Sequence, residues 1–369
     1  MKINISKATF SSIVGIGQKV KQASLKSGEK YLELNRGVNA VTTIDLNNVI
    51  NKIDFNSKEL QVYAPNLGMD SLRKTIVNHY FKSNTDNLNF LSRISITPGG
   101  MPALDLVIQL LNVENIYFPN FYWGSYSKMA TIRKKSFSFY KTLTDLDFSQ
   151  LNESSCIFIC DPNNPTGIKL DDYYLLNVIE KINKTGAVII IDCPYRKLFS
   201  QDDFFDKVSQ LSNVIITESF SKWIGLSGLR LGFIYSSNQD FNSELNIRLL
   251  YEFNGVSSAS QLIVNQLLST PEGLESAQKF RAITTEHIKK NINYLNENNL
   301  LVDSIYGDKI PIGIFAVISK SEDFLFQNKI GAVGLDKFVY HDKDLFSSYS
   351  RICVSVDHQQ FKDYISKVI

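Results

Sequence analysis

Four short runs in the middle of the chain are apolar at almost every position: CIFIC (156–160), AVIIID (187–192), NVIITES (213–219) and LRLGFIY (229–235). A strand with one wet face alternates apolar and polar residues, whereas strands without alternation belong to a sheet covered on both faces. Between and before these runs stand segments with helical spacing, among them MPALDLVIQLL (101–111) and LDDYYLLNVIEKINK (170–184). ISIT (94–97) and NIYFP (115–119) read as further strands. Strands that alternate with helices predict an α/β fold around a mostly parallel sheet. In such sheets ligands collect beyond the carboxyl ends of the strands.

The flanking segments are less regular. Residues 11–27 read as a helix stopped at Gly28, and YLELN (31–35) as a short strand ending at Gly37. GMDSLRKTIVNHYFKS (68–83) reads as a helix with Leu72, Ile76, Val77 and Tyr80 on one face. A helical stretch over 257–297, followed by the strand candidates IFAVIS (314–319) and RICVSV (351–356), suggests a smaller α+β unit. The expected division is a large domain over 45–280 and a small domain made of 1–44 together with 281–369.

Composition narrows the function. The chain has 369 residues, 44% of them hydrophobic, which supplies a sizeable core. Its net charge is only +2 and no Lys/Arg run stands out, so nucleic acid is not an expected partner and the substrate is expected to be small. Cys156, Cys160, Cys193 and Cys353 form no CxxC pair, which argues against a metal site; buried free thiols in a reducing compartment are expected. His79, His287, His341 and His358 read as surface or structural residues. The start MKINISKATF has no apolar signal core, and no run approaches the roughly 18 apolar residues of a membrane span. A cytoplasmic enzyme is expected.

Three segments carry chemistry, and each alone is ordinary. DPNNPTG (161–167) is a Pro/Asn turn after a strand; Asp192, with Tyr195 three residues on, sits at a strand end where caps are common; Lys222, in TESFSKWIGLSGLRLGF, follows a strand where lysines are normally solvated. Together, their order, spacing and strand-end placement resemble the pyridoxal-5′-phosphate (PLP) dependent aminotransferases of classes I and II, the fold-type-I, aspartate-aminotransferase-like group. That family carries an Asn-Pro-x-Gly turn, then D-x-x-Y, then S-x-S/A-K with an Arg eight residues after the Lys. Here these are Asn164, Asp192 with Tyr195, and Ser219, Lys222 and Arg230. VYAPNLGMDSLR (62–73), ITPGGMPAL (96–104), FYWGSY (121–126) and RICVS (351–355) extend the likeness over most of the chain.

The resemblance implies a role for each residue. Lys222 would carry the cofactor as a Schiff base and then act as general base and acid. Asp192 would face the pyridine nitrogen, and Tyr195 and Asn164 the phenolate oxygen. Trp123 would stack on the ring, with Tyr122 and Tyr126 as alternatives. Gly99, Gly100 and Met101 at a helix start, with Ser219 and Arg230, would hold the phosphate. Tyr63 would reach the phosphate from a neighbouring subunit, implying a homodimer with shared active sites. Arg351 would clamp the substrate carboxylate, assisted by Asn164 and the backbone at Gly37. The implied reaction is transfer of an amino group from an amino acid to a 2-oxo acid. A PLP-dependent lyase, decarboxylase or cyclase and a non-catalytic PLP-binding protein remain the alternatives, because fold does not settle the reaction. Met101 stands where some aspartate-using relatives have a Lys, which argues against that mode of acidic-substrate recognition.

Overall fold

The apolar runs form the centre of a seven-stranded sheet in the computed structural model, which describes residues 1–3, 5–82, 88–200 and 203–369. In chain order the strands are β1 (Leu32–Glu33), β2 (Ile94–Thr97), β3 (Asn115–Pro119), β4 (Phe137–Tyr140), β5 (Ser155–Cys160), β6 (Val188–Asp192), β7 (Val214–Ser219), β8 (Gly232–Ser236), β9 (Phe315–Ile318), β10 (Ile330–Gly331), β11 (Val333–Gly334) and β12 (Ser350–Cys353). The large sheet has the order β2-β8-β7-β6-β5-β3-β4. All its pairings are parallel except those of β8, which is antiparallel to both β2 and β7.

Both faces of this sheet are covered, which is why its strands read as continuous apolar runs. Ile157, Ile189, Ile191, Ile216 and Phe233 enter one hydrophobic core, and Cys156, Phe158, Ile190, Ile215 and Ile234 enter the other. The reversed β8 has a consequence for function. Its amino end lies at the edge where β2, β5, β6 and β7 have their carboxyl ends, as the pairs Thr97 with Gly232 and Ser219 with Gly232 show. Arg230, just before β8, is thereby delivered to the same rim as the residues that follow the other strands.

A three-stranded antiparallel sheet, β11-β12-β9, lies in the C-terminal part of the chain. The N-terminal segment joins this part, because β1 pairs in parallel with β10, Leu32 opposite Ile330.

Several local readings change. The stretch 257–297 is two helices, Ser258–Ser269 and Pro271–Glu297. Thr270 caps the second one by accepting from the Gly273 N–H at 3.2 Å, and Pro271 has no N–H to continue the first. The helix read over 68–83 runs Asp70–Tyr80 and does bury Leu72, Ile76, Val77 and Tyr80; Ser83 lies outside the described residues. The edge strand β4 and the helix Gln239–Phe253 were not evident from pattern. The helix Ser12–Ser27 ends as expected, with Gly28 left-handed at φ 71°.

Candidate active site

Five strand ends converge on one cavity of about 370 Å³. Gly100 and Met101 follow β2, Trp123 and Tyr126 follow β3, Asn164 follows β5, Asp192 closes β6, and Ser219 and Lys222 follow β7. Arg230 enters from the reversed strand and Arg351 from β12. Gly37, from the segment after β1, completes a wall.

One end of the cavity is built to receive an anion. Gly99 has φ +106° and precedes the helix Gly100–Leu110, whose first N–H groups have no side-chain cap. A Cβ at Gly99 would stand 2.9 Å from Arg230 Nη2, and one at Gly100 would stand 3.1 Å from Ser219 Cβ. The glycine turn, the hydroxyl and the guanidinium therefore crowd together, with no acidic side chain among the lining residues there. A helix N-terminus, a serine and an arginine at such spacing match a phosphate group. Arg230 is held in the left-handed region at φ 51° while its Nη1 donates to the Ser227 carbonyl at 3.0 Å.

Asp192 is buried in the same cavity. Its carboxylate accepts from Tyr126 Oη at 2.5 Å and from Thr217 Oγ1 at 3.1 Å. No cation lies within ion-pair distance of it among the described residues. Burial raises its carboxyl to about 6, against the hydrogen bonds from Tyr126 and Thr217, which favour the ionised form. A cationic ring nitrogen is the partner such a carboxylate lacks.

Lys222 lines the same cavity and donates to the Gly37 carbonyl. Desolvation lowers its ammonium to about 8, and Arg230 and Arg351 add to the effect. About a tenth is thus the free amine at pH 7, far more than for an ordinary lysine, as a carbonyl nucleophile requires. The geometry also explains Gly37: a Cβ there would fall 2.4 Å from Phe315 Cζ.

Arg351 is 1% exposed and sandwiched, its guanidinium 4.3 Å from the Phe315 ring centroid and 4.7 Å from that of Phe338. Nη1 donates to Asn164 Oδ1 at 3.4 Å, Nη2 donates to the Asn35 carbonyl, and Nε has no partner. No carboxylate pairs with it among the described residues, and burial pushes it down to about 10. A buried arginine left in this state can receive a carboxylate. The residues present thus fit the phosphate, the ring nitrogen and the aldehyde of PLP and an α-carboxylate beside it.

The cavity gathers every residue proposed from sequence except Gly99, Tyr122 and Tyr63. Within one chain Tyr63 is 81% exposed and does not line the cavity. Tyr195, 6% exposed, lies edge-on to Phe315 with ring centroids 5.5 Å apart. Trp123 does line the cavity, with its ring perpendicular to that of Tyr126. The Tyr126 hydroxyl is a donor to Asp192. Thr217 was missed, although it shares a strand face with Ser219 by the period-two rule. Arg36, Phe315 and residues near Ile13 were missed because tertiary folding alone brings them to the cavity. The histidines stay away from it: His79 Nε2 meets the Leu268 carbonyl at 2.7 Å, and His358 Nδ1 meets Asn291 Oδ1 at 2.8 Å. The four cysteines are buried free thiols, and no metal-binding cluster occurs among the described residues. No described helix is long and apolar enough to cross a membrane.

Comparison with known proteins follows the same lines. Residues 29–367 match the family described as aminotransferase class I and II. A histidinol-phosphate aminotransferase of a Thermotoga species is 27% identical over 267 residues, which is 72% of this chain and 74% of that protein. The chloroplastic LL-diaminopimelate aminotransferase of Arabidopsis thaliana is 31% identical over 181 residues, covering 44% of this chain and 37% of the relative. The match thus spans well under two thirds of the Arabidopsis protein. Among solved structures, the aspartate aminotransferase of Thermus thermophilus with maleate superposes with a TM-score of 0.81 at 14% identity, covering 100% of this chain and 99% of that one. An aminotransferase from Mycobacterium tuberculosis gives 0.84 at 13% identity over 100% of this chain and 98% of the other. At these identities the structural likeness concerns the fold.

Proposed function

Because this chain belongs to the class I and II aminotransferase family, we propose that it is a PLP-dependent enzyme that moves an amino group from an amino acid to a 2-oxo acid. The observation that carries the reading is the placement of a desolvated amine, Lys222, in one cavity with a buried carboxylate and a buried guanidinium that both lack charged partners. When bound, PLP supplies an electron-accepting ring that stabilises negative charge on the carbon losing its proton.

The chain's own residues then divide the work. Asp192, braced by Tyr126 and Thr217, would keep a proton on the ring nitrogen of the bound cofactor. Tyr195 and Asn164 would donate to the phenolate oxygen. Ser219, Arg230 and the turn at Gly99, Gly100 and Met101 would anchor the phosphate, and Trp123 would cover the ring. Arg351 holds the substrate carboxylate by paired N–H groups, which fixes the orientation of the bonds at Cα. Lys222 Nζ takes the Cα proton and later returns one, a role its lowered proton affinity suits. The aromatic faces of Phe315 and Phe338 shield the Arg351 clamp from water.

The exposed Tyr63 belongs to the same proposal as a phosphate ligand given to a second copy of the chain, which makes the working unit a homodimer. Sedimentation showing a monomer at working concentration would remove that part alone. The reaction itself is tested by product analysis of the PLP-loaded protein. An aminotransferase consumes one 2-oxo acid for each amino donor and makes no net ammonia or carbon dioxide. Turnover without an acceptor, or release of either product, identifies a lyase or decarboxylase instead.

A further inference from the structure

The cavity holds a fourth cation that the proposed chemistry does not use. Arg36 lines its wall beside Gly37, whose carbonyl accepts from Lys222, so the backbone that carries Arg36 sits at the reacting amine. The guanidinium lies against the helix Ser12–Ser27 at Gly17. A Cβ at Gly17 would meet Arg36 Nη2 at 3.1 Å and Nε at 3.2 Å, so the bare glycine leaves room for the side chain to lie flat. Among the described residues Arg36 has no ion pair and no hydrogen-bond acceptor. Among the described residues the only acidic side chain that lines the cavity is Asp192, which is engaged by Tyr126 and Thr217. Arg36 is solvent-exposed, and Ile13, Val14, Val38 and Trp123 are apolar members of the same cavity lining.

Resting on the amino-acid reading above, we propose that Arg36 is a specificity-determining residue that selects substrates whose side chain ends in an oxyanion, a carboxylate or a phosphate. The apolar wall accommodates the carbon chain and the guanidinium receives the terminal group through two N–H donors. Arg351 and Arg36 then hold the two anionic ends of one molecule. The absence of a lysine at Met101 does not oppose acidic substrates here, because the cation is supplied from a different segment.

The test uses the PLP-loaded protein and two kinds of measurement. Equilibrium binding compares glutarate with valerate, which has the same chain length and one carboxylate fewer. Turnover compares L-glutamate with L-glutamine, and O-phospho-L-serine with L-serine, so that the pair showing the larger preference identifies the oxyanion. The wild type should favour the anionic member of at least one turnover pair, and glutarate over valerate. Arg36→Gln should weaken the anionic ligand by about tenfold to a hundredfold, the loss of a charge-assisted contact, and change the neutral one far less. Arg36→Lys should recover part of the preference. Equal effects on both members, or a wild type without preference for an anionic terminus, would overturn the assignment. If glutarate binding depends on Arg36 but no amino acid turns over, the transamination reading fails while the oxyanion site stands.

Discussion

Asp192→Asn in the cofactor-free protein should raise stability, and only at higher pH. The carboxyl of Asp192 is raised from the ordinary 3.8 to about 6 by burial. A folded state that holds its proton more tightly than the unfolded chain is favoured while the group is protonated. That contribution is complete below about pH 4 and is lost as pH rises through about 6. At about 1.4 kcal/mol for each tenfold change in proton affinity, the ionised side chain costs roughly 3 kcal/mol above pH 7. Asparagine has the same shape and no charge. It retains one acceptor oxygen for Tyr126 or Thr217, and the other hydroxyl must reorient toward an N–H, a cost of about 1 kcal/mol. The net gain is therefore about 2 kcal/mol at pH 8 and close to zero or negative at pH 4. Urea titration at the two pH values reads this as a shift in midpoint at constant slope. Loading with PLP should reverse the order at pH 8, because the carboxylate of the wild type then has a cation to pair with. A variant that is less stable than wild type at pH 8 without cofactor, or a difference that does not change with pH, refutes the reasoning.

Gly37→Ala places a methyl group 2.4 Å from Phe315 Cζ, under a ring that is itself 1% exposed and pinned beneath Arg351. Overpacking of this kind should cost about 1–3 kcal/mol and lower the melting temperature, and it should raise KM for amino acids more than it weakens PLP binding. An unchanged melting temperature would mean that the loop yields freely. Arg351→Lys keeps a charge and loses the paired donors, so KM should rise on the order of a hundredfold with little change in PLP affinity. A preference of the wild type for amines without a carboxylate would show that Arg351 has another role.

The large sheet was legible because burial on both faces writes itself as unbroken apolar runs. The edge strand β4 was not, since Phe137, Ser138 and Phe139 are only half-buried and follow a Lys-Lys pair at 134–135. The helix Gln239–Phe253 hides for a related reason: it buries only Leu245 and Leu249, too few to set a clear period. The break at Thr270 and Pro271 was available in the sequence as a cap followed by proline, and apolar spacing on either side outweighed it. In the site, Asn164, Asp192, Ser219 and Lys222 follow apolar strands closely enough that strand ends predict their meeting. Arg230 needed the reversal of β8, which no local pattern announces. Arg36 and Phe315 meet the cavity through contacts between distant segments, and the direction of the Tyr126 hydroxyl toward Asp192 depends on packing that spacing does not encode.

The central claim is that Lys222 holds the cofactor. Borohydride reduction of the PLP-loaded protein, followed by proteolysis and mass spectrometry, should fix the cofactor mass on the peptide containing Lys222 at close to one per chain. Lys222→Ala should show no such adduct and nearly no transamination. An adduct on another lysine, or a Lys222→Ala protein that still turns over amino acids at rates near wild type, would contradict the account.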